Sequence, residues 1–308
     1  MVTKNNHFRG KKKHSFYFKQ ENLNRLLDKK IDYSIALLRK AESMALRLDP
    51  ENGFYLAFSG GKDSQALYHI AQMAGVKFKA HMNLTSVDPP EVIRFVRRQY
   101  PDVELIKPKI SIYDIAKKKG ILPTRQLRWC CYVYKEQNAA GKINLVGVRK
   151  QESTRRNNWK EMQINGGKTF KGNFDQFSIH NETMISCMGG GKEKIVVSPL
   201  LDWTEQDIWT FLNTVANVPH CELYDKGYRR IGCIGCPMTH YKQLLREFSD
   251  YPHVKRNWMK TIEWLMTNKW TDVRWDNPEQ AFNWWISGKS FDKFYADEVL
   301  QQKFDFDL

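Results

Sequence analysis

Between residues 30 and 200, short apolar runs alternate with apolar positions at helical spacing. Ile35, Leu37, Leu38, Ala41, Met44, Ala45 and Leu48 fall on one helical stripe, and Pro50 predicts its end. Strand-like runs follow at 54–58, 78–84, 103–106, 143–148 and 194–200, with helix-like runs at 64–74, 90–99, 111–118 and 129–139. Strands separated by helices pair in parallel, because a crossover returns each strand in the same direction. The expected fold is therefore α/β, a doubly wound and mostly parallel sheet with helices on both faces.

The texture changes near residue 201. Thr204-Glu205-Gln206-Asp207 precedes apolar Ile208, Phe211, Leu212 and Val215, predicting a helix with an acidic first turn. Eight of the ten tryptophans lie from Trp203 onward, and helical stretches are expected near 240–250, 253–268 and 278–287. Three segments result: a basic arm over 1–30, a nucleotide-binding α/β domain over 31–203, and a helical C-terminal region over 204–308. The arm carries Lys4, Arg9, Lys11, Lys12, Lys13 and Lys19 and reads as a solvated tail.

Composition narrows the partners. The chain is 42% hydrophobic and 13% aromatic, ample for a core, and its 49 basic against 34 acidic side chains give a net charge of +15. That excess favours polyanions: nucleotides, DNA or RNA. Nine Lys and Arg lie between 125 and 160, against Glu136 and Glu152 only; a phosphate-binding patch and a solvated face are both open readings. No apolar run approaches a membrane span and no signal peptide is recognised, so a cytoplasmic location without membrane partners is expected.

The densest chemistry is in Phe54-Tyr-Leu-Ala-Phe-Ser-Gly-Gly-Lys-Asp-Ser64. A buried strand breaks into a glycine turn that opens a helix. Glycine permits close backbone approach, and the first helical N–H groups lack internal partners at the positive end of the dipole. Ser59, Gly60, Gly61, Lys62, Asp63 and Ser64 are thus the candidate phosphate cradle, with Asp63 the candidate Mg²⁺ ligand. The four-residue spacer of a Walker A loop is missing.

Cys130 and Cys131 are adjacent; Cys233 and Cys236 form a Cys-x-x-Cys far downstream. Four thiolates from two segments suit iron–sulfur or zinc. Tandem cysteines chelate one zinc awkwardly and fit a cubane's separate corners more easily. Cys187 and Cys221 have no partner at ligand spacing and read as incidental thiols.

The glycine loop resembles the pyrophosphate (PP) loop of the adenine nucleotide α-hydrolase superfamily, which includes ATP pyrophosphatases and the phosphoadenosine phosphosulfate (PAPS) reductases. The resemblance covers roughly residues 50–240 and implies a Rossmann-like core. The tandem cysteines with Cys-x-x-Cys are similar to those of adenylylsulfate-type reductases, which implies a 4Fe-4S cluster on Cys130, Cys131, Cys233 and Cys236. Gly147-Val148-Arg149 with Glu152-Ser153 and Arg155-Arg156 resembles the strand-end motif that contacts the nucleotide's phosphate or sulfate end. Pro199-Leu-Leu-Asp-Trp203 is similar to the segment after the last core strand, and Asp88 sits in a shortened form of the family's adenosine-contacting segment.

Two departures direct the functional expectation. Family reductases carry a nucleophilic cysteine beyond the Cys-x-x-Cys, and residues 237–308 contain none. The loop is also complete, as in enzymes that split ATP into AMP and pyrophosphate. The expectation is an ATP-cleaving iron–sulfur enzyme with Mg²⁺, using Lys62, Asp63 and Arg149 catalytically. It would activate an acceptor, DNA or RNA among the candidates, for sulfur supplied by a donor protein. Two alternatives stand beside it: a PAPS or adenylylsulfate reductase using a non-standard or external thiol, and a non-catalytic nucleotide-sensing, nucleic-acid-binding subunit.

Overall fold

The computed structural model describes residues 7–136, 138–165, 194–271 and 274–296. In order these give α1 (His7–Leu48), β1 (Phe54–Ala57), α2 (Lys62–Ala74), β2 (Phe78–Asn83), α3 (Pro90–Gln99) and β3 (Glu104–Ile106). Next come α4 (Ile112–Lys119), α5 (Trp129–Cys131) continuing as a π turn over Tyr132–Glu136, β4 (Ile143–Leu145), β5 (Met162–Asn165) and β6 (Lys194–Val197). The chain finishes with α6 (Glu205–Thr210), which runs into a π turn over Phe211–Val215, then α7 (Tyr241–Asp250), α8 (Pro252–Asn268) and α9 (Pro278–Ser287).

The sheet has the order β3-β2-β1-β4-β6-β5. β1 pairs in parallel with β2 and β4, and β4 with β6; β5 runs antiparallel to β6. The α/β fold read from the alternation is the fold observed. β5 was not anticipated, because Met162-Gln-Ile-Asn165 is too short to show a period. The segment expected as an arm also differs: the backbone is helical from His7, where α1 begins. The 129–139 helix is one α turn followed by a π turn, a wider winding that periodicity does not reveal.

The chain divides into two compact units, Met1–His81 with Ala139–His220, and Met82–Asn138 with Cys221–Leu308. In the first, α1 buries Leu27, Ile31, Ser34, Leu38, Ala41 and Ala45, one face at steps of three and four residues. Its single polar member is satisfied: Ser34 Oγ donates to the Pro199 carbonyl at 2.7 Å and accepts from Trp203 Nε1 at 3.1 Å. In the second, Trp258, Phe282, Phe248 and Trp285 form an aromatic core over α7, α8 and α9, with ring centroids 4.8–6.4 Å apart.

α6 shows how tightly sequence dictates local structure. Thr204 Oγ1 accepts from Asp207 N at 3.1 Å while Asp207 Oδ2 accepts from Thr204 N at 2.7 Å, a reciprocal capping box. Lys30 Nζ lies 2.5 Å from the same carboxylate. Burial alone would push the Asp207 carboxyl up, yet the bonds from Lys30 and Thr204 hold it below the usual carboxylate range. A depressed carboxyl stabilises the fold above its unfolded pKa of about 3.9 and loses that contribution as pH falls through the folded value. Thr204→Ala is expected to cost about 1 kcal/mol in urea unfolding. Lys30→Met should lower stability at pH 7, with the difference from wild type vanishing as Asp207 protonates.

Candidate functional site

In the first unit β1 has β2 on one side and β4 on the other, so successive crossovers leave it in opposite directions. Such a switch point opens a crevice at the carboxyl ends of the two strands. The glycine loop leaves β1 there and Gly147-Val148-Arg149 leaves β4 there, with Leu56 and Leu145 in register behind them. All the loop residues expected from sequence are brought to this edge.

The loop is stitched by two hydroxyls. Ser64 Oγ donates to the Gly61 carbonyl at 2.8 Å and accepts from Ser59 N at 3.1 Å; Ser59 Oγ lies 3.1 Å from it. Gly60 has φ +72°, a left-handed turn open chiefly to glycine. Gly61 caps α2 with extended geometry and no side-chain hydrogen bond.

Gly147 sets the separation of the two strand exits. A Cβ there would stand 2.7 Å from the Asp63 carbonyl oxygen and 3.0 Å from its carbon, both backbone atoms. Two residues on, buried Arg149 donates from Nε to Asp63 Oδ1 at 2.6 Å and from NH1 to Gln151 Oε1 at 3.1 Å. The Gln151 oxygen also accepts from Glu205 N at 2.7 Å. Lys62, likewise buried, has its ammonium 3.6 Å from Asp63 Oδ2 and 3.4 Å from Glu205 Oε1. Both oxygens of Asp63, the expected Mg²⁺ ligand, thus face protein cations. Gly147, Gln151 and Glu205 lay outside the sequence-predicted site set; the glycine was legible as part of the strand-end motif, whereas the other two become visible only when the elements pack.

The basic stretch is heavily paired. Lys150 meets Asp202 at 2.7 Å, Lys142 meets Asp49 at 2.6 Å, and Arg156 pairs with Glu152 and lies over the Trp159 ring. The Arg155 side chain is outside the described residues. Arg125, in the second unit, donates to the Pro237 and Thr239 carbonyls at 2.9 and 3.2 Å, bracing the cysteine loop.

All four candidate metal-binding cysteines fall in the second unit, half-buried. The Cys233–Cys236 turn is held by Ile234 N on the Val87 carbonyl at 2.7 Å and by Gly235 N on Glu247 Oε2 at 2.8 Å. Gly235 has φ +73°, and a Cβ there would come 2.5 Å from Phe248 Cζ. Donors surround the sulfurs: Thr85 Oγ1 is 3.3 Å and Lys135 Nζ 3.5 Å from Cys233 Sγ, and Arg128 NH2 is 3.4 Å from Cys131 Sγ. The Cys130 hydrogen bond brings the Cys131 thiol down to about 5, with Arg128 assisting against burial. That same bond and burial push Cys130 up. Among the described residues no three His, Cys, Asp or Glu side chains close around a single ion. Cys221 is buried in the second unit, and Cys187 is outside the described residues.

Asp88 accepts from Thr85 N at 2.5 Å and from Thr85 Oγ1 at 3.0 Å, and burial raises its carboxyl. Its bonds lie within its own turn, whose Thr85 reaches Cys233. Thr85 and Lys135 were absent from the predicted site; only the fold brings them to the sulfur atoms.

Comparison with known proteins follows the same geometry. Residues 53–239, more than half of the chain, match the phosphoadenosine phosphosulfate reductase domain. The chain belongs to the PAPS reductase family. An uncharacterized protein of Methanocaldococcus jannaschii is 27% identical, over 67% of this chain and 47% of its own. The adenosine 5'-phosphosulfate reductase of Oceanobacillus iheyensis is 28% identical, over 47% of this chain and 54% of its own. Hence the chain spans about half the length of these curated relatives. The PAPS reductase of Candida auris, solved as a phosphate complex, aligns with a TM-score of 0.41 and 19% identity, covering 70% of this chain and 95% of that one. The PAPS reductase domain includes both cysteine pairs and the glycine loop and ends before α7. Among the described residues no helix is long and apolar enough to cross a membrane.

Gly147→Ala should destabilise the first unit and weaken adenine-nucleotide binding at least tenfold, because the Asp63 backbone must move. Calorimetric titration beside a melting curve would check both.

Proposed function

We propose that this PAPS reductase family member cleaves ATP between its α- and β-phosphates and uses the adenylated acceptor for sulfur transfer. The observation that carries this reading is the complete Ser59–Ser64 loop, closed by its own hydroxyls and flanked by Arg149. An acceptor oxygen would attack the α-phosphorus and pyrophosphate would leave; a sulfur nucleophile from a donor protein would then displace AMP. DNA or RNA is the acceptor class that the +15 charge favours.

In this scheme Gly60 and Gly61 let the backbone approach the phosphates, and the N-terminal end of α2 would hold the leaving pyrophosphate. Lys62 and Arg149 supply positive charge, with Arg156 toward the nucleotide's far end. Formal charges at the loop cancel, Lys62 and Arg149 against Asp63 and Glu205, so a polyphosphate has to bring its own counter-charge. Mg²⁺ would supply it by neutralising the departing pyrophosphate, and Asp63 is the carboxylate nearest to hand.

The sulfur-ligand set fits a 4Fe-4S cluster in chemistry: four thiols on two segments, with Thr85, Lys135 and Arg128 donating toward sulfur. When bound, such a cluster supplies iron corners for the thiolates and a sulfur-rich redox centre. Cys130, Cys131, Cys233 and Cys236 would hold it, and the neighbouring cations would offset thiolate charge.

A second reading, sulfonucleotide reduction, is favoured by relatives named adenosine 5'-phosphosulfate reductase. Residues 237–308 offer no thiol for it, so a non-standard thiol such as Cys187 or Cys221, or an external one, would have to attack. Offering ATP, adenylylsulfate and PAPS in turn separates the two. Pyrophosphate from ATP, abolished by EDTA and without sulfite from the others, is the expected outcome; sulfite without pyrophosphate sinks the proposal. Lys62→Ala should cut pyrophosphate release about 100-fold while the fold stays intact by circular dichroism. Cys236→Ala should lose bound iron and visible absorbance after anaerobic purification.

A further inference from the structure

In the second unit, tryptophans that follow the PAPS reductase domain line a cavity of about 430 Å³ against the 120–127 segment of that domain. Trp270, Trp275 and Trp284 form a run of tilted indoles with centroids 5.2 and 4.8 Å apart. Trp270 is anchored, its Nε1 donating to the Gly120 carbonyl at 2.8 Å. Trp275 and Trp284 are not: both indole N–H groups are buried without an acceptor among the described residues. Ile121 and Leu127, 41% and 56% exposed, extend the apolar wall to the surface.

Charge at the rim distinguishes the occupant. Lys269 lines the cavity and packs beside Gly120, at the end of α4, whose last turn is Lys117-Lys118-Lys119. Lys117 Nζ lies over the Trp264 ring at 5.9 Å. An aromatic slot edged by lysines matches a flat, acceptor-bearing ring carried on an anionic chain. Each base of a single strand offers a π face to stack and a phosphate for the lysines. The volume suits one nucleotide rather than a helix or a sheet edge.

We propose that this cavity binds an unstacked base of single-stranded nucleic acid, with Lys269 and the α4 lysines on the flanking phosphates. The inference rests on the acceptor half of the proposed function and supplies it with a docking point. The test uses the full chain and a 5'-fluorescein ten-nucleotide oligothymidylate, read by anisotropy at 50 mM salt. Trp275→Leu should weaken binding roughly 5- to 100-fold, the span that loss of one stacked base gives. Lys269→Glu, at an exposed rim position, should weaken it as well and flatten its salt dependence, without the folding risk of the tryptophan change. Lys62→Ala should leave oligonucleotide affinity unaltered, so ATP cleavage can fail while this site stands. Affinity unchanged in both Trp275→Leu and Lys269→Glu, or no binding at all, overturns the proposal.

Discussion

The first unit depends on one close approach, that of the β4 exit to the first turn of α2. Gly147 has no Cβ, and this lets the backbone pass against the Asp63 carbonyl. Arg149 then reaches the Asp63 carboxylate at 2.6 Å. A larger residue at 147 would lift β4's exit away and strand a buried guanidinium without its partner, an arrangement that costs several kcal/mol in comparable cases. Gln151 and Glu205 extend the same connection to the start of α6. Loop, strand end and helix cap therefore hold one another, so a charge placed at the loop is felt at the capping helix.

The second unit solves a different problem with the same means. This Cys-x-x-Cys turn carries a left-handed residue between its thiols, Gly235, with Phe248 packed beneath. Glu247 takes the buried turn amide, and burial raises its own carboxyl, so the bonds from Gln243 and Gly235 are needed to keep that acceptor satisfied. The aromatic core over α7 to α9 gives these loops a stiff floor. Trp258 and Trp285 belong to this core with Phe248, the ring that lies beneath Gly235.

The legible parts of the chain were those encoded locally. The α1 stripe, the strand–glycine–helix of the loop and the Thr204–Asp207 box each fit within a dozen residues and appear as read. What escaped depends on distant partners. Glu205 meets Lys62 only after β6 and α6 are in place, and Thr85 meets Cys233 only when two segments far apart in sequence converge. Residues 125–160 leave two readings open for the same reason. A count of basic side chains suggests a patch, yet Lys142, Arg149, Lys150, Arg156 and Arg125 are bonded to acceptors within their own units. Charge along a sequence says nothing of which cations the fold has already paired.

Two helix starts in the first unit make the same point about function. At α6 a threonine and an aspartate satisfy the opening amides, so that terminus is chemically closed. At α2 the cap is Gly61, and its helix neighbour Ser64 turns its hydroxyl back to the Gly61 carbonyl and to Ser59 N instead. The hydroxyl stiffens the loop, while Gly61 itself offers the first turn of α2 no capping side chain. An anion arriving there would find donors already oriented and no capping group to displace. A capping side chain at 61 would stand where the proposed phosphate chain has to approach, and glycine leaves that approach clear.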